Sequence, residues 1–468
     1  MNASHSILLY ACALVGSKLI GLMMQPWVTQ WLGTTEYGQL DVLITFITCL
    51  SLLMTFGLPD AICRFAHDKQ LKQEKVLGSA LAGILLIGTT LTGLVLLNLP
   101  LVQHWLPGTP SLFALTCLSA NLLLNTLCTV PLTRLRLNHQ PKTFVKALLL
   151  FAISQAGFIT LLAPLWGIDG IMLAGLLAQL LQLTILWRFF PRLYWGYTAR
   201  LLRYGRAITV AGLLAFITLG AERWAIADSL SLSELATYAI AMQWAMAASL
   251  VLEPFGLWWF PKRFSFTDSA QGLRHAAEMS ALGCQLSALV AAMVITIGPD
   301  FLRFWLPADF HTSSDILPIL ALMMMVKQAS TYLNMGCYQE ESGRSIFLIS
   351  VISAIGALAA IVFLLPYWGL SALLISGVAL QLLRVTLFYV RSQQLLTLPY
   401  QLHSLAICYS IVGFIAFCHY TAPTIETPLA IDPLWLKMIG MVALGIYTAW
   451  PWRAQLFALN NRRVKSYD

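Results

Sequence analysis

A lysine lies near the middle of two apolar stretches of this sequence, Lys18 in one and Lys327 in the other. A charged side chain at the centre of a bilayer costs about 2.5–3.5 kcal/mol on insertion scales, so such a residue usually binds or pairs with something. Lysine offers a compact positive charge and three donors, which suit phosphate. We therefore predict that both lysines contact an anionic ligand. For Lys18, snorkelling or pairing with a neighbour such as Asp41 is the alternative.

Each lysine has polar residues on the same helical face. Thr331 and Asn334 follow Lys327 at i+4 and i+7, and Gln25 follows Lys18 at i+7. A polar stripe cannot face lipid without a large cost, so it faces another helix or water. We predict that these three polar residues contribute to a binding cavity, and hydrogen bonding between helices is the alternative.

Three carboxylates in apolar stretches are candidates for binding a coupling ion. Glu253 precedes Pro254, and a carboxylate beside a helix break can gain or lose a proton as its hydration changes. Asp41 and Glu222 are the other candidates. For Glu253, the alternative is a helix-end carboxylate near the cytoplasmic surface. For Asp41 it is a helix-dipole role, and for Glu222 and Arg223 it is a structural ion pair with another helix. We also predict that Arg223 contacts the anionic ligand. No catalytic or metal-ligand spacing is present, so we expect no enzymatic activity, cofactor or metal site.

The composition identifies the elements that must hold these residues. Of the 468 residues, 59% are hydrophobic and 10% are charged, whereas soluble domains contain roughly 25% charged residues. Apolar runs recur from end to end, and each is long enough to cross a bilayer as a helix. The runs are too continuous for the alternating strands of a transmembrane β-barrel. The sequence therefore predicts an all-α polytopic membrane protein with about fourteen transmembrane helices.

The positive charges indicate the orientation. Lysine and arginine are concentrated in the loops that follow even-numbered spans and in the C-terminal tail, and such residues are retained on the cytoplasmic side. Both termini are therefore predicted to be cytoplasmic. The N-terminal stretch has no basic segment and no clear cleavage site, so we treat it as the first helix rather than a signal peptide. The net charge of +8 indicates topology and contact with membrane lipids rather than nucleic acid.

Two motifs are repeated. FGLPDAICRF at 56–65 matches FGLWWFPKRF at 255–264, and PLWGIDGIMLAGLLAQLLQLT at 164–184 matches PYWGLSALLISGVALQLLRVT at 366–386. This spacing predicts two copies of a six-helix unit. Because six is even, the copies enter the membrane in the same direction, as in two-lobed transporters. The predicted N-terminal lobe, C-terminal lobe and pair of added helices with a tail are 1–200, 201–395 and 396–468.

Two stretches resemble polysaccharide flippases of the Wzx type, which belong to the MATE/MOP transporter superfamily. Residues 27–65 contain the LGxxEYG turn between helices one and two and the GLxxAxxR end of helix two. Residues 202–243 are similar to the opening of the second lobe, in which an acidic residue precedes arginine, here Glu222 and Arg223. Thr237 stands where the family has glycine in the following loop.

The resemblance implies a flippase that moves a polyprenyl-pyrophosphate-linked oligosaccharide across the bacterial cytoplasmic membrane. Its product would enter O-antigen, capsule or exopolysaccharide synthesis, with glycan polymerases as partners and H⁺ or Na⁺ as coupling ion. Lys18, Lys327 and Arg223 would hold the pyrophosphate in a cavity between rocking lobes, while polar residues contact sugars. An ion-coupled small-molecule antiporter and an integral membrane glycan polymerase are the alternatives. Central cations suit the cargo of the first poorly, and short outer loops disfavour the second.

Overall fold

The computed structural model describes residues 15–66, 68, 70–260, 262–266, 269–340, 343–421 and 433–449. The predicted start of the first span and the basic C-terminal tail lie outside these residues. The described chain is helical over most of its length, because the apolar runs can satisfy their backbone hydrogen bonds internally only as helices.

Residues 15–23 are helical and lead into a series of helices that we number in chain order. In the first half of the chain these are α1 Gln25–Thr55, α2 Leu58–Phe65, α3 Gln73–Leu97, α4 Leu99–Trp105, α5 Leu112–Leu137, α6 Pro141–Leu186, α7 Thr198–Leu219 and α8 Glu222–Ser229. In the second half they are α9 Leu232–Ser249, α10 Glu253–Trp259, α11 Ala270–Trp305, α12 Thr312–Tyr332, α13 Arg344–Ala359, α14 Leu365–Leu395, α15 Leu402–Thr421 and α16 Pro433–Ala449.

Nine helical segments of the described chain are long and apolar enough to cross a membrane. Three of them, Gln25–Phe65, Pro141–Phe189 and Arg344–Leu395, contain 41, 49 and 52 residues. About 20 residues suffice for one crossing, so each of these segments exceeds the length of one span. The predicted all-α polytopic class is confirmed, and the count of about fourteen spans stays a prediction.

Glycines break the long segments near the predicted ends of spans. Gly167 in α6 and Gly369 in α14 have φ angles of 54° and 61°, in the left-handed region. Other residues adopt this region only at a steric cost. Both glycines follow the tryptophan of the second repeated motif, so the two copies share one backbone break. Gly33, with φ 68°, makes a similar break in α1.

The first repeated motif differs between its copies. Phe56 and Gly57 are both left-handed and separate α1 from α2, whereas Gly256 lies inside α10. The arginines that end the two motifs differ as well, since Arg64 is exposed and Arg263 is buried. The sequence frame is therefore repeated, but its local structure is not.

The chain divides into two compact units. The first contains the described residues of Met1–Ala239, with Leu306–Asp309 and Ile361–Leu370, and the second contains those of Ile240–Trp305, Phe310–Ala360 and Ser371–Asp468. In the first unit, a core that includes Ile62, Leu77 and Leu201 joins α2, α3 and α7. In the second, a core that includes Ile295, Val326 and Val412 joins α11, α12 and α15. The predicted divisions 1–200, 201–395 and 396–468 stay a prediction.

Candidate functional site

Two carboxylates and one guanidinium group are buried together in the first unit. Asp41 of α1 is 5% exposed, and Glu222, the first residue of α8, is 8% exposed. Nη1 of Arg223 donates to Oδ1 of Asp41 across 2.5 Å. The charge on Arg223 also acts on Glu222. One positive charge therefore compensates two potential negative charges.

Two tyrosines and a glutamine surround these charges. The hydroxyl of Tyr238 donates to Oε1 of Glu222 across 3.0 Å, and Nε2 of Gln25 donates to the hydroxyl of Tyr37 across 3.3 Å. The charge on Arg223 acts on Tyr37 as well. We call this set of buried groups the first-unit ionic cluster, which consists of Gln25, Tyr37, Asp41, Glu222, Arg223 and Tyr238.

One carboxylate oxygen of the first-unit ionic cluster is unsatisfied. Oδ2 of Asp41 is buried and has no hydrogen-bond partner among the described residues. Leaving a buried acceptor unpaired costs about 1–3 kcal/mol, and more when the group is charged. A proton or a small cation bound at this oxygen would remove that cost. The cluster therefore has the chemistry of an ion-binding site.

The residues predicted between Lys18 and Glu253 differ in their surroundings. Asp41 lies in the interior of α1, which disfavours a role at a helix N-terminus, and its partner is Arg223 rather than Lys18. Lys18 is exposed, and so is Glu253 at the start of α10. Arg223 forms an ion pair with another helix, which was the alternative to a contact with the ligand, and Glu222 accepts a hydrogen bond from Tyr238. The binding and coupling roles assigned to these residues stay predictions.

A second polar cluster contains cations and belongs to the second unit. Lys327 in α12 is half-buried, and Arg384 in α14 lies close enough for the two charges to act on each other. Within the described residues, neither cation forms an ion pair with a carboxylate. We call Lys327 and Arg384 the second-unit cation pair. Two uncompensated like charges in a low dielectric repel each other, so this pair is suited to hold an anion.

Arg384 was missed by the sequence analysis. Its Nε atom is buried and has no hydrogen-bond partner in the part of the chain that the structure describes. Its guanidinium carbon lies 5.6 Å from the centre of the Phe388 ring. Gln381, one turn earlier, is 2% exposed, and its Oε1 atom likewise lacks a partner among the described residues. The available sequence signal was the arginine of QLLRVT in the second copy of the repeat, where the first copy reads QLLQLT.

The two residues of the polar stripe predicted after Lys327 have different surroundings. Thr331 is half-buried near the end of α12. Asn334 lies just beyond the helix and accepts a hydrogen bond from Nη1 of Arg263 across 3.3 Å. The Arg263 guanidinium lies 4.6 Å from the centre of the Tyr338 ring. Burial lowers the pKa of Arg263, and Tyr338 opposes the shift. Asn334 therefore makes the interhelical type of contact that was the alternative to ligand binding.

A cleft of about 610 Å³ lies in the first unit, next to the ionic cluster. Phe46, Trp105, Trp224 and Asp228 are among the residues that line it. The indole nitrogen of Trp224 donates to the carbonyl of Val42 across 3.4 Å, which fixes the ring. Small-molecule pockets have volumes of about 300–1,000 Å³. Aromatic faces beside one carboxylate suit a ligand with both apolar and polar edges.

A known protein family matches the stretch of the chain that contains most of the first-unit ionic cluster. Residues 28–256 match the model of a family described as polysaccharide biosynthesis protein. This stretch is similar to that family over a little less than half of the chain. It includes five of the six cluster residues, all but Gln25, and ends before the second-unit cation pair. No curated protein matches the chain.

Solved structures share the fold over nearly the whole chain. The lipid II flippase MurJ in an inward closed conformation is 14% identical to this chain. The alignment covers 96% of this chain and 100% of MurJ, with a TM-score of 0.74. An outward-facing multidrug resistance MATE transporter is 14% identical and covers 86% and 95%, with a TM-score of 0.53. A MOP superfamily transporter from Pyrococcus furiosus is 15% identical and covers 86% and 95%, with a TM-score of 0.54.

The predicted resemblance to polysaccharide flippases is confirmed over residues 28–256 by the family match, and the fold is that of MurJ and of MATE and MOP transporters. The chain is a multi-pass membrane protein with the fold of flippases and transporters. Its placement in the inner membrane and the cytoplasmic position of its termini stay predictions.

Proposed function

We propose that this protein is a flippase that moves a polyprenyl-pyrophosphate-linked oligosaccharide across the cytoplasmic membrane for surface polysaccharide synthesis. The family match of residues 28–256 and the similarity in fold to a lipid II flippase support a lipid-linked cargo. The observation that carries the proposal is the second-unit cation pair. Lys327 and Arg384 form no ion pair with a carboxylate of the described chain, which favours an anionic cargo.

The chemistry of pyrophosphate fits such a pair. A lysine supplies a point charge, and an arginine supplies paired N–H donors that match two phosphate oxygens. A negatively charged head group would remove the repulsion between the two cations and compensate for their burial. The polyprenyl chain would stay in the bilayer. The contacts of Lys18, Gln25, Thr331 and Asn334 with the cargo stay predictions.

Transport of this cargo requires alternating access and no covalent step. We place ion coupling at the first-unit ionic cluster, where Asp41 has a buried oxygen without a partner among the described residues and Glu222 lies nearby. H⁺ or Na⁺ is the coupling ion that this chemistry admits. Glu253 is less suited to the role, because it is exposed at the start of α10. On the outer face, a glycan polymerase would consume the flipped product.

An ion-coupled small-molecule antiporter is the second candidate. The first-unit cleft favours it, because this cleft has the volume of a small-molecule site and carries the carboxylate of Asp228 among aromatic residues. Such a site would suit a cationic or aromatic cargo. The two candidates predict different changes in the pool of lipid-linked saccharides.

The test is mass spectrometry of polyprenyl-linked saccharides, with sidedness labelling, in cells that lack the protein. We expect complete lipid-linked units to accumulate on the cytoplasmic face, and wild-type protein to clear them. Lys327→Ala should fail to clear them at normal protein level, whereas Lys327→Arg, which keeps the charge, should clear them in part. Units that reach the outer face unpolymerised would indicate a polymerase instead. An unchanged lipid pool would indicate the antiporter.

A further inference from the structure

The two copies of the second repeated motif differ at one polar position. The first copy reads QLLQLT from Gln179, and the second reads QLLRVT from Gln381. Gln182 in the first copy therefore corresponds to Arg384 in the second. The register is fixed independently, because the left-handed glycine occupies the same place in both copies.

In the first unit, this position belongs to a closed hydrogen-bond network. Nε2 of Gln179 donates to Oε1 of Gln182 across 2.9 Å, and Nε2 of Gln182 donates to the carbonyl of Ala147 across 3.1 Å. Nδ2 of Asn125 donates to Oε1 of Gln179 across 3.3 Å. Both glutamines are buried, and their amides have partners. The network is polar packing between helices of the kind common in membrane proteins.

In the second unit, the corresponding atoms lack partners. Oε1 of Gln381 and Nε of Arg384 are buried without a hydrogen bond to any described residue. Neither Lys327 nor Arg384 forms an ion pair with a carboxylate of the described chain. A structural arginine in this position would be expected to have a carboxylate or carbonyl partner.

Snorkelling does not account for the position of the Nε atom of Arg384. An arginine that faces lipid extends its guanidinium group toward the membrane surface, whereas the Nε atom of Arg384 is enclosed by protein. The guanidinium carbon lies 5.6 Å from the centre of the Phe388 ring, and no described residue accepts a hydrogen bond from the Nε atom. A ligand that reached the guanidinium group would supply the acceptor that the Nε atom lacks.

We propose that Arg384 is an anion-binding residue that contacts the phosphate groups of the cargo together with Lys327, whereas the corresponding Gln182 is purely structural. The identity of the cargo rests on the proposed function, but the binding of a pyrophosphate group does not. The second copy of the repeat thus supplies this binding residue, and the first copy supplies a packing contact at the equivalent position.

The test measures binding of farnesyl pyrophosphate to the purified full chain in detergent, with farnesol as the uncharged probe. We expect the wild type to prefer the pyrophosphate. Arg384→Gln should weaken pyrophosphate binding by roughly tenfold or more, as expected for the loss of a charge-assisted hydrogen bond, and leave farnesol binding unchanged. Arg384→Lys should be intermediate. The matched control is Arg391→Gln on the same helix, which removes a cation that already pairs with Glu340 at 3.7 Å and should leave the affinity within about twofold.

Thermal unfolding distinguishes a binding role from a structural one. Because Arg384→Gln removes a cation without a partner among the described residues and installs the residue of the first copy, the melting temperature should stay equal or rise. Unchanged pyrophosphate affinity in this variant would overturn the proposal, with or without a lower melting temperature. A wild type that does not prefer the pyrophosphate over farnesol would overturn it as well.

The cell experiment and the binding experiment fail separately. If lipid-linked saccharides do not accumulate in cells that lack the protein, the proposed function is wrong, yet pyrophosphate binding that depends on Arg384 would still establish the anion site. If they accumulate while binding is independent of Arg384, the flippase function stands and the role of Arg384 is refuted.

Discussion

Replacing Arg223 with glutamine should destabilise the first unit strongly. The change removes the only cation of the first-unit ionic cluster and leaves the side chain of Asp41, which is 7% exposed, without its 2.5 Å ion pair. Removing one partner of a buried pair typically costs about 3–5 kcal/mol, because the other charge stays buried and uncompensated. Glu222 adds to the cost, since the charge of Arg223 acts on it too. We therefore expect a loss of about 3–5 kcal/mol in the free energy of unfolding.

The assay is a double-mutant cycle on purified protein in one detergent, followed by thermal or denaturant unfolding. Asp41→Asn removes the opposite charge and should cost less, because the arginine keeps Glu222 as a neighbour. The double variant Asp41→Asn/Arg223→Gln leaves two neutral amides that can hydrogen-bond to each other. It should therefore be more stable than the sum of the single losses implies, by at least about 1 kcal/mol of coupling.

Two results would refute this reasoning. The first is a stability of Arg223→Gln within about 0.5 kcal/mol of wild type, the range of an ordinary surface substitution. The second is strict additivity in the cycle, which would mean that the Asp41–Arg223 contact has no energetic consequence. As a control, Arg303→Gln removes a cation from an exposed ion pair with Asp315 and should cost at most about 1 kcal/mol.

Three further predictions use the same purified protein or the same cells. Asp41→Asn should abolish clearance of the lipid-linked saccharides at normal protein level, whereas Glu253→Gln should leave it near wild type; the reverse result would place coupling at Glu253. Gly369→Ala should lower the free energy of unfolding by about 1–2 kcal/mol through backbone strain. In contrast, Gly413→Ala at an ordinary helical position with open space around it should be neutral or stabilising by up to about 1 kcal/mol. Equal effects at the two glycines would contradict the argument from φ. Gln182→Leu should destabilise by about 1–3 kcal/mol because it breaks a buried network, yet preserve pyrophosphate affinity; a lost affinity would show that the first copy also binds the anion.

The fold class could be predicted because apolar runs of membrane length leave few alternatives. The repeat was visible for a similar reason, since a left-handed glycine after tryptophan is required in both copies. The first motif shows the limit of this argument. Its residues recur, but the left-handed break at Phe56 and Gly57 has no counterpart at Gly256, because neighbouring helices decide whether a glycine bends the chain.

The contacts within the site were harder to predict. Asp41 and Arg223 are 182 residues apart, and no local pattern specifies which helices bring them together. Gln25 was placed correctly in an apolar helix, but its partner Tyr37 lies beyond the break at Gly33. Arg384 was missed because a long side chain within a few residues of a predicted span end can reach the membrane surface. The structure shows that the Nε atom of Arg384 is enclosed by protein, and the sequence alone does not show this.

The breaks at Gly167 and Gly369 also bear on how the chain is inserted and probed. At each break one helical part follows the other directly, within α6 and within α14. No hydrophilic loop therefore separates the two halves of either helix. Trp166 and Trp368 are exposed at these points, as expected for aromatic residues at a membrane interface. We expect each pair of halves to enter the bilayer together as one hairpin during biosynthesis. Epitope tags, protease sites and labelling cysteines placed at these breaks would disrupt the hairpins, so topology mapping should use the connection at 106–111 instead.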